Sequence, residues 1–504
     1  MNPDQPTRLH YAWIIVAVAC LVVFASLELA RFGYGVVLPA MQADLGLNNA
    51  QAGLLASANF FGYLTTTLVG GMAATRFGPR YVISIGLALA GVSMIMTGLS
   101  SEFFFVALWR MLTGMGSGLS NVPVIGLLAA WFGSRRIGTA TGLAVTGPSF
   151  ALIGLGSLVP WTLEVFGDDG WRICWYAFGV TALLIGIAGF VLLTQRPEDK
   201  GLRPIAENPA SIKNSADMKR HRPQWKTIYR SLTVWHLGLV YGGFGFSYMI
   251  YLTFFIKKLT AEAHYSDHAA GELFMLVGWC SLLCGVIFGT LSDVIGRNWA
   301  LMITYLFHST AFALFVLWPT DSGFTLSAII FGLSAWSVPA IMAATCGELL
   351  GARLAPTALG FVTLFHSVGQ VAGPYIAGVM ADATGSFDSS FLLASAAALA
   401  AAIGAAFLSV KPLSDKDSEP RPGPTGHSHS ALDNGRQYTA PPNRTSLDRR
   451  RHYESFIWSD SPDGIRRPRH RVCHAPLDRC LRDWSVFLCR PTAVNQLSVP
   501  RSIR

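Results

Sequence analysis

The chain has 504 residues, of which 52% are hydrophobic and only 13% are charged, and its mean hydropathy is +0.42. Soluble globular chains carry about 25% charged residues, so a soluble enzyme, a DNA-binding protein and a secreted disulfide scaffold are poor fits to most of this chain. The charge is also uneven. Residues 1–410 hold 21 of the 38 Lys and Arg and 19 of the 29 Asp and Glu. We therefore expect a membrane domain over 1–410 and a tail of different character after it.

Twelve apolar stretches are long enough to cross a bilayer. A spanning helix needs about 20 apolar residues, and lipid forces the backbone to satisfy its own hydrogen bonds. The sequence therefore predicts an all-α membrane protein with spans at 13–39, 52–72, 81–99, 103–130, 138–160, 173–194, 231–256, 270–290, 299–318, 322–346, 357–380 and 389–410.

A polar segment separates the sixth span from the seventh and defines the domain organisation. We predict four parts: a six-helix bundle over 1–194, a basic cytoplasmic linker over 195–230, a second six-helix bundle over 231–410, and a disordered Arg-rich cytoplasmic tail over 411–504. Disorder is the main interpretation, and the Arg excess of the tail also resembles an out-of-frame extension. We expect the tail to be dispensable for folding.

The distribution of basic residues predicts the orientation. With the N-terminus inside, the inside segments hold Arg76, Arg80, Arg135, Arg136, Arg297, Arg353 and nine Lys or Arg between 195 and 230. The outside loops hold only Arg172, Lys257 and Lys258. By the positive-inside rule both termini are expected to be cytoplasmic. We predict a multi-pass protein of the inner (plasma) membrane.

The two halves of the membrane domain repeat each other. Phe32-Gly33-Tyr34 in the first span corresponds to Phe246-Ser247-Tyr248 in the seventh, and Asn121-Val122-Pro123 in the fourth corresponds to Ser337-Val338-Pro339 in the tenth. Spans six apart run in the same direction, which makes this a parallel repeat about an axis along the membrane normal. Such repeats bind substrate between the halves, near the bilayer midplane.

Two loop motifs carry a family resemblance. The loop after the second span reads Gly71-Met-Ala-Ala-Thr-Arg-Phe-Gly-Pro-Arg80, and the loop after the eighth reads Gly289-Thr-Leu-Ser-Asp-Val-Ile-Gly-Arg-Asn298. Both resemble the signature Gly-x-x-x-Asp-Arg-x-Gly-Arg-Arg of the major facilitator superfamily (MFS) of secondary transporters. The first copy has Thr75 where the signature has its acid, and the second keeps Asp293.

The resemblance covers residues 11–410 and implies the MFS fold, which has twelve transmembrane helices in two bundles related by a pseudo-two-fold axis along the membrane normal. It also implies a latch at the cytoplasmic side, in which an acid meets a helix N-terminus and a basic partner. The gating residues that the two copies imply are Gly71, Arg76, Gly78, Arg80, Gly289, Asp293, Gly296 and Arg297.

Further motifs fit the same family less closely. Gly147-Pro148 partly matches the superfamily's antiporter signature, and Gly373-Pro374 repeats it in the eleventh span. We assign these positions to conformational change, although bent interface helices would use the same residues. The segments Arg196-Pro-Glu-Asp-Lys-Gly201 and Gly385-Ser386-Phe387 resemble bacterial organic-anion and monocarboxylate porters.

Ionisable residues inside a membrane are functional candidates. Glu28 and Arg31 lie in the first span and Arg110 in the fourth. At ~1.5 Å per residue, Arg31 and Arg110 have the same depth, on helices that line the cavity in this family. We predict that both arginines bind an anion and that Glu28 carries a proton, with His366 as a second candidate. In the alternative interpretation, Glu28 merely neutralises Arg31 and Arg110 bonds to backbone carbonyls.

Polar tips on aromatic and amide side chains complete the predicted substrate site. The remaining substrate-binding candidates are Tyr34, Asn59, Tyr63, Tyr241, Tyr248, Tyr251 and Trp336. No metal or cofactor is expected, because the cysteines lack a ligand-like spacing and no phosphate-binding loop occurs.

The sequence therefore predicts proton-coupled transport of a small solute, an organic anion such as a monocarboxylate, by alternating access. The expected partners are this solute, the coupling proton and the lipid bilayer, with no nucleic acid, and the expected state is a monomer. Two alternatives stay open: drug or metabolite efflux by proton antiport, and a transporter-like receptor for a solute. An enzyme is disfavoured, because no nucleophile, metal or cofactor constellation appears.

Overall fold

The structure is a computed structural model, which describes residues 10–132, 136–144, 146–203, 205 and 225–408. These residues belong to one compact unit, Met1–Pro420. The predicted tail lies outside the described residues. The long helices are α1 Tyr11–Asp44, α2 Asn49–Phe77, α3 Pro79–Leu99, α4 Phe103–Trp131, α5 Gly147–Phe166, α6 Gly170–Leu192, α7 Leu232–Ala261, α8 Asp267–Ile295, α9 Arg297–Leu317, α10 Asp321–Gly351, α11 352–384 and α12 Asp388–Ala406. Short helices Ile137–Ala144 and Trp225–Arg230 precede α5 and α7.

The length and hydropathy of these helices suit a membrane. Nine helical stretches of the described residues are long and apolar enough to cross one, and α2 is a tenth when its two parts, bent by 44°, are taken as one span. One of the nine, Gly138–Leu192, contains both α5 and α6. Nearly all the described residues are helical, as the sequence predicts.

The helices form two bundles of six, α1–α6 and α7–α12. In the N-terminal bundle α4 packs along α2 and α3, and α3 also packs on α6. In the C-terminal bundle α7 packs on α11 and α12, and α9 on α12 and α10. Three helix pairs join the bundles: α2 with α11, α5 with α8, and α1 with α7.

The first and the tenth predicted spans are interrupted in the structure. Residues Phe24–Leu29 of α1 form a π-helical turn, a feature that often marks functional sites. In α10 the first part ends at Ser334 and the second begins at Ser337. The cause in α10 is Pro339, which has no N–H to bond the carbonyl of Ala335.

The two signature loops share one backbone conformation. Gly78 follows α2 with φ 91° and ψ 141°, and Gly296 follows α8 with φ 92° and ψ 156°. These positive φ values favour glycine at both corners. The corresponding turns of the two halves are therefore built alike, in agreement with the repeat in the sequence.

The bundles touch closely at one end and separate at the other. At the closed end the carbonyl oxygen of Pro374 lies only 2.2 Å from where a Cβ on Gly53 would stand, and the carbonyl oxygen of Gly271 lies 2.5 Å from that position on Gly156. At the opposite end, a Cβ built on any of four glycines would have no neighbouring atom within 4 Å. These glycines are Gly126, Gly289, Gly347 and Gly360. Any central site in this conformation is therefore reached from the second end.

Candidate functional site

Arg31 lies at the centre of the molecule, directly after the π-helical turn of α1. Its guanidinium carbon is 4.3 Å from the centroid of the Tyr63 ring and 5.2 Å from that of Phe60. Its Nε and Nη2 atoms are buried and have no hydrogen-bond partner. Buried donors left unpaired are costly and rare in native structures, so an anion that accepts from both is the natural ligand here.

Glu28 is the one buried carboxylate among the residues that the structure describes, with 4% of the residue exposed. Within that part of the chain it forms no ion pair with Arg31, although the two are three residues apart. Neighbours at this spacing share a face on an α-helix. Glu28 belongs to the π-helical turn Phe24–Leu29, where the α-helical spacing does not apply.

Two side chains of α4 bind the backbone around this turn. The hydroxyl of Ser117 donates to the carbonyl of Ser26, and Nη1 of Arg110 donates to the carbonyl of Ala30 at 2.6 Å. These two carbonyls lie on either side of Glu28 in the chain. The α4 contacts therefore stabilise the backbone that carries Glu28 and Arg31.

Arg110 lies inside the N-terminal bundle. It is 1% exposed, and its guanidinium carbon lies 4.5 Å from the ring centroid of Tyr34 and 5.0 Å from that of Trp175. In this conformation the two guanidinium groups contact different rings, Tyr34 and Trp175 at Arg110 and Phe60 and Tyr63 at Arg31. Arg110 donates to the backbone carbonyl of Ala30, as expected in the alternative interpretation, in which Arg110 bonds to backbone carbonyls.

The C-terminal bundle contributes an aromatic cluster to the central region. The rings of Tyr241 and His366 stack at 4.5 Å, and the hydroxyl of Tyr248 accepts a hydrogen bond from Gln370. Trp336, in the break of α10, meets Tyr248 edge-on at 6.4 Å. The indole Nε1 of Trp336 is also a buried donor without a partner.

Three predicted binding residues lie elsewhere. Tyr34 is 1% exposed and donates to the carbonyl of Ala52 at 2.7 Å. Tyr251 is fully buried in the C-terminal bundle, where its hydroxyl pairs with Ser327 at 2.8 Å. Asn59 donates to the carbonyl of Arg110 at 3.2 Å and is fully buried. Their polar groups bond within one bundle, so we leave them out of the site.

One site residue was missed by the sequence analysis. Asn121 of α4 donates to the hydroxyl of Tyr63 at 3.0 Å, and Tyr63 in turn stacks on Arg31. The signal was present, because an amide inside an apolar span is unusual and Asn121 belongs to the repeated Asn-Val-Pro motif.

The first signature loop contains no ion pair within the described residues. Arg76 lies over the ring of Phe77 at 5.3 Å, and Arg80 over that of Phe190 at 4.4 Å. The hydroxyl of Thr75 donates to the carbonyl of Met72 in its own helix. In the described part of this copy, the arginines therefore contact aromatic rings and not an acid. Gly71 faces the Val122 side chain, 3.6 Å from the position of a Cβ.

The second signature loop does form ion pairs. Arg297 bonds Asp293 at 2.7 Å and Glu348 of α10 also at 2.7 Å. All three belong to the C-terminal bundle, so these contacts join α8, α9 and α10 to one another.

Both Gly-Pro pairs lie where helices meet. Gly147 and Pro148 begin α5, and a Cβ on Gly147 would stand 3.5 Å from the amide nitrogen of Phe24, at the start of the π-helical turn. The Cβ position of Gly373 lies 2.6 Å from the carbonyl oxygen of Phe246 in α7. Its neighbour Pro374 faces Gly53 of α2, so this part of α11 contacts both bundles.

Two six-helix bundles that meet around buried ionisable groups, in close contact at one end, have the architecture of membrane transporters of the MFS class. The family whose model matches residues 23–406 is described as "Uncharacterised MFS-type transporter YbfB", and the chain belongs to this family. It is a multi-pass membrane secondary transporter of small solutes and not an enzyme.

Known proteins agree with this assignment. The chain is 25% identical to the probable sulfoacetate transporter SauU of Cupriavidus necator, over 82% of this chain and 96% of that protein. It is 24% identical to the human monocarboxylate transporter 11, over 78% of this chain and 82% of that protein. Among solved structures it resembles a D-xylose–proton symporter with a TM-score of 0.63, at 15% identity, over 80% of this chain and all of the other. This last likeness supports the twelve-helix fold.

Proposed function

We propose that the protein transports a small organic anion with one negative charge, together with a proton. The observation that carries the proposal is the guanidinium of Arg31, which lies at the centre of the molecule with two buried and unpaired N–H groups. A guanidinium can hold a carboxylate by two parallel hydrogen bonds. The ring of Tyr63 against one side of Arg31 limits the directions from which such an anion can approach.

The charge balance around Arg31 supports proton coupling. Glu28 is the nearest acid in the chain and is buried. With Glu28 ionised, the pair is neutral and has no net attraction for an anion. With Glu28 protonated, the excess positive charge of Arg31 is available for one negative charge, and a monoanion makes the loaded site neutral. Binding of the anion and of the proton then favour each other, which is the requirement for symport.

Trp336 supports contact with the solute from the second bundle. Its unpaired indole N–H belongs to α10, whereas Arg31 belongs to α1. In parallel-repeat transporters the solute binds at the interface between the repeats, which then move against each other. We propose that the solute has a second hydrogen-bond acceptor beside its carboxylate, and that this acceptor binds Trp336.

The names of the relatives support an organic anion. SauU is named for sulfoacetate and the human relative for monocarboxylates, and both names denote carboxylic acids. We carry over only this shared chemistry, because the sequence identities are near one quarter.

We further propose the orientation and setting. The excess of Lys and Arg on one side supports cytoplasmic termini. We propose that the protein is a monomer in the inner membrane of a bacterial cell. The closed end, which carries Asp44 and Asp382, then faces outward, and the structure is open to the cytoplasm.

Transport into proteoliposomes tests the proposal. Labelled acetate, lactate and the dianion sulfoacetate are each offered with and without an inward proton gradient. We expect the gradient to drive accumulation of a monoanion that has a second acceptor, such as lactate, and expect counterflow of unlabelled lactate. Counterflow without any response to the gradient contradicts the coupling. Binding without counterflow indicates a receptor, and preference for lipophilic cations indicates efflux.

A further inference from the structure

The carboxylate of Asp382, near the end of α11, binds the N-terminus of α2 in the opposite bundle. The amide nitrogen of Asn49 donates to Oδ1 at 2.9 Å and that of Ala50 donates to Oδ2 at 2.8 Å. The first N–H groups of a helix have no partner within the helix, and the helix dipole favours negative charge there. Asp382 therefore forms two charge-assisted hydrogen bonds across the bundle interface.

Beyond these bonds, α2 and α11 contact each other at backbone distance. The carbonyl oxygen of Asn49 lies 2.1 Å from the Cβ position of Gly378, and the hydroxyl of Ser57 donates to the carbonyl of Val371 at 2.6 Å. Because Gly378 has no side chain, the backbones of the two helices are in direct contact here. Opening of this end must therefore break this backbone contact as well as the two hydrogen bonds of Asp382.

The other end of the same helix pair has no equivalent bond within the described residues. Near that end of α2, Thr75 takes the place of the signature acid and bonds its own helix. In α11 the Cβ position of Gly360 has open space within 4 Å. Among the described residues, a carboxylate thus holds this pair at the Asp382 end and none does at the other.

We infer that Asp382 is a one-sided latch, which biases the transporter toward the conformation closed at the Asp382 end. The substitution of the signature acid by Thr75 strengthens this bias, because it removes the competing carboxylate at the opposite end. This inference concerns the equilibrium between conformations, and it holds whichever solute is carried.

Thiol labelling of the purified protein in detergent measures both ends at once, whatever the orientation in the membrane. Ser57→Cys reports opening of the Asp382 end, because Ser57 is 4% exposed at the α2–α11 contact. Gly360→Cys reports whether the opposite end of the α2–α11 pair is open. A polar maleimide is used, and labelling of the parent's own cysteines is subtracted.

In the Asp382→Asn background, the amide keeps the shape but can accept at one atom only and carries no charge. We expect Ser57→Cys to react roughly tenfold faster or more, since hydrogen bonds to charged groups have large net effects, and Gly360→Cys to react more slowly. The matched control is Asp388→Asn, because Asp388 pairs with Lys258 inside the C-terminal bundle. This control should leave both rates unchanged.

A second variant tests the latch without altering Asp382. Thr75→Asp restores the acid of the signature, and we expect it to slow Gly360→Cys labelling and to speed Ser57→Cys labelling. Unchanged rates in both Asp382→Asn and Thr75→Asp overturn the inference, and so does an equal response of Asp388→Asn. Size-exclusion profiles confirm that each variant is folded before its rates are compared.

Discussion

The rings of Phe32 and Trp336 stack across the interface between the two bundles, with centroids 5.6 Å apart and an interplanar angle of 29°. Phe32 follows Arg31 in α1, and Trp336 occupies the break of α10. Phe32 thus adjoins Arg31, and the Trp336 ring itself contains an unpaired donor. A movement of the bundles relative to each other must change this contact and the spacing of the donors together.

Arg31 is predicted to hold the anion. Losing one partner of a desolvated charge pair costs about 2–5 kcal/mol, so Arg31→Ala should weaken binding roughly 30-fold or more at 1.4 kcal/mol per tenfold. Arg31→Lys keeps the charge but loses the two parallel hydrogen bonds, and should give an intermediate loss. Isothermal titration with lactate measures both. The control Arg230→Ala changes an exposed arginine and should leave affinity unchanged; equal affinities in all variants contradict the site.

Glu28 is predicted to carry the coupling proton. Glu28→Gln keeps the shape and hydrogen bonds of a protonated carboxyl but cannot release a proton. The variant should still exchange lactate across the membrane, yet fail to concentrate it when a proton gradient is applied. Proteoliposome uptake with and without the gradient separates the two activities. A variant that still accumulates solute would assign coupling to another group, and His366 is the next to test.

Trp336 is predicted to bind the second acceptor of the solute. Trp336→Phe removes the indole N–H and preserves an aromatic ring against Phe32. A neutral hydrogen bond contributes about 0.5–1.5 kcal/mol, so affinity for lactate should fall roughly two- to tenfold, whereas affinity for propionate, which lacks the hydroxyl, should not change. The control is Trp279→Phe, at a tryptophan that is 55% exposed. An equal loss for both solutes argues against this role.

Arg110 is predicted to act on stability and on the π-helical turn. Arg110→Ala removes the bond to the carbonyl of Ala30 and should lower the stability by about 1–3 kcal/mol. The folded fraction should bind lactate with nearly the affinity of the parent, in contrast to Arg31→Ala. Thermal melting and titration of the size-exclusion peak provide the two measurements. An affinity loss as large as that of Arg31→Ala would place Arg110 at the anion after all.

Several features could be predicted from the sequence because their causes are local. Hydropathy over about 20 residues decides whether a segment crosses a bilayer. The membrane-spanning helices, and the polar linker that separates the two bundles, therefore follow from composition. The repeat of motifs relates Gly78 to Gly296, and the structure gives both the same positive φ. The family signatures that led to the MFS fold are likewise short stretches of sequence.

The rotation of side chains around a helix axis, by contrast, was decided by tertiary structure. Arg31 and Arg110 have similar predicted depths, but a depth estimate says nothing of direction. The packing of α4 against α1 brings Nη1 of Arg110 to the carbonyl of Ala30 inside one bundle and leaves only Nε of Arg110 unpaired, whereas Arg31 has two unpaired atoms, Nε and Nη2. Glu28 lies in a π-helical turn, so the α-helical spacing that would pair it with Arg31 does not describe their arrangement.

The contact of Asp382 with α2 shows the same division. The sequence contains Asp382 only as an acid in a predicted outer loop, more than 300 positions away from Asn49. Its partners are backbone N–H groups, which every residue except proline has, and so no residue type marks them. Helices and their order follow from hydropathy, which acts along the chain. Which groups lie opposite one another is decided by how the two bundles pack, and that depends on contacts between distant segments.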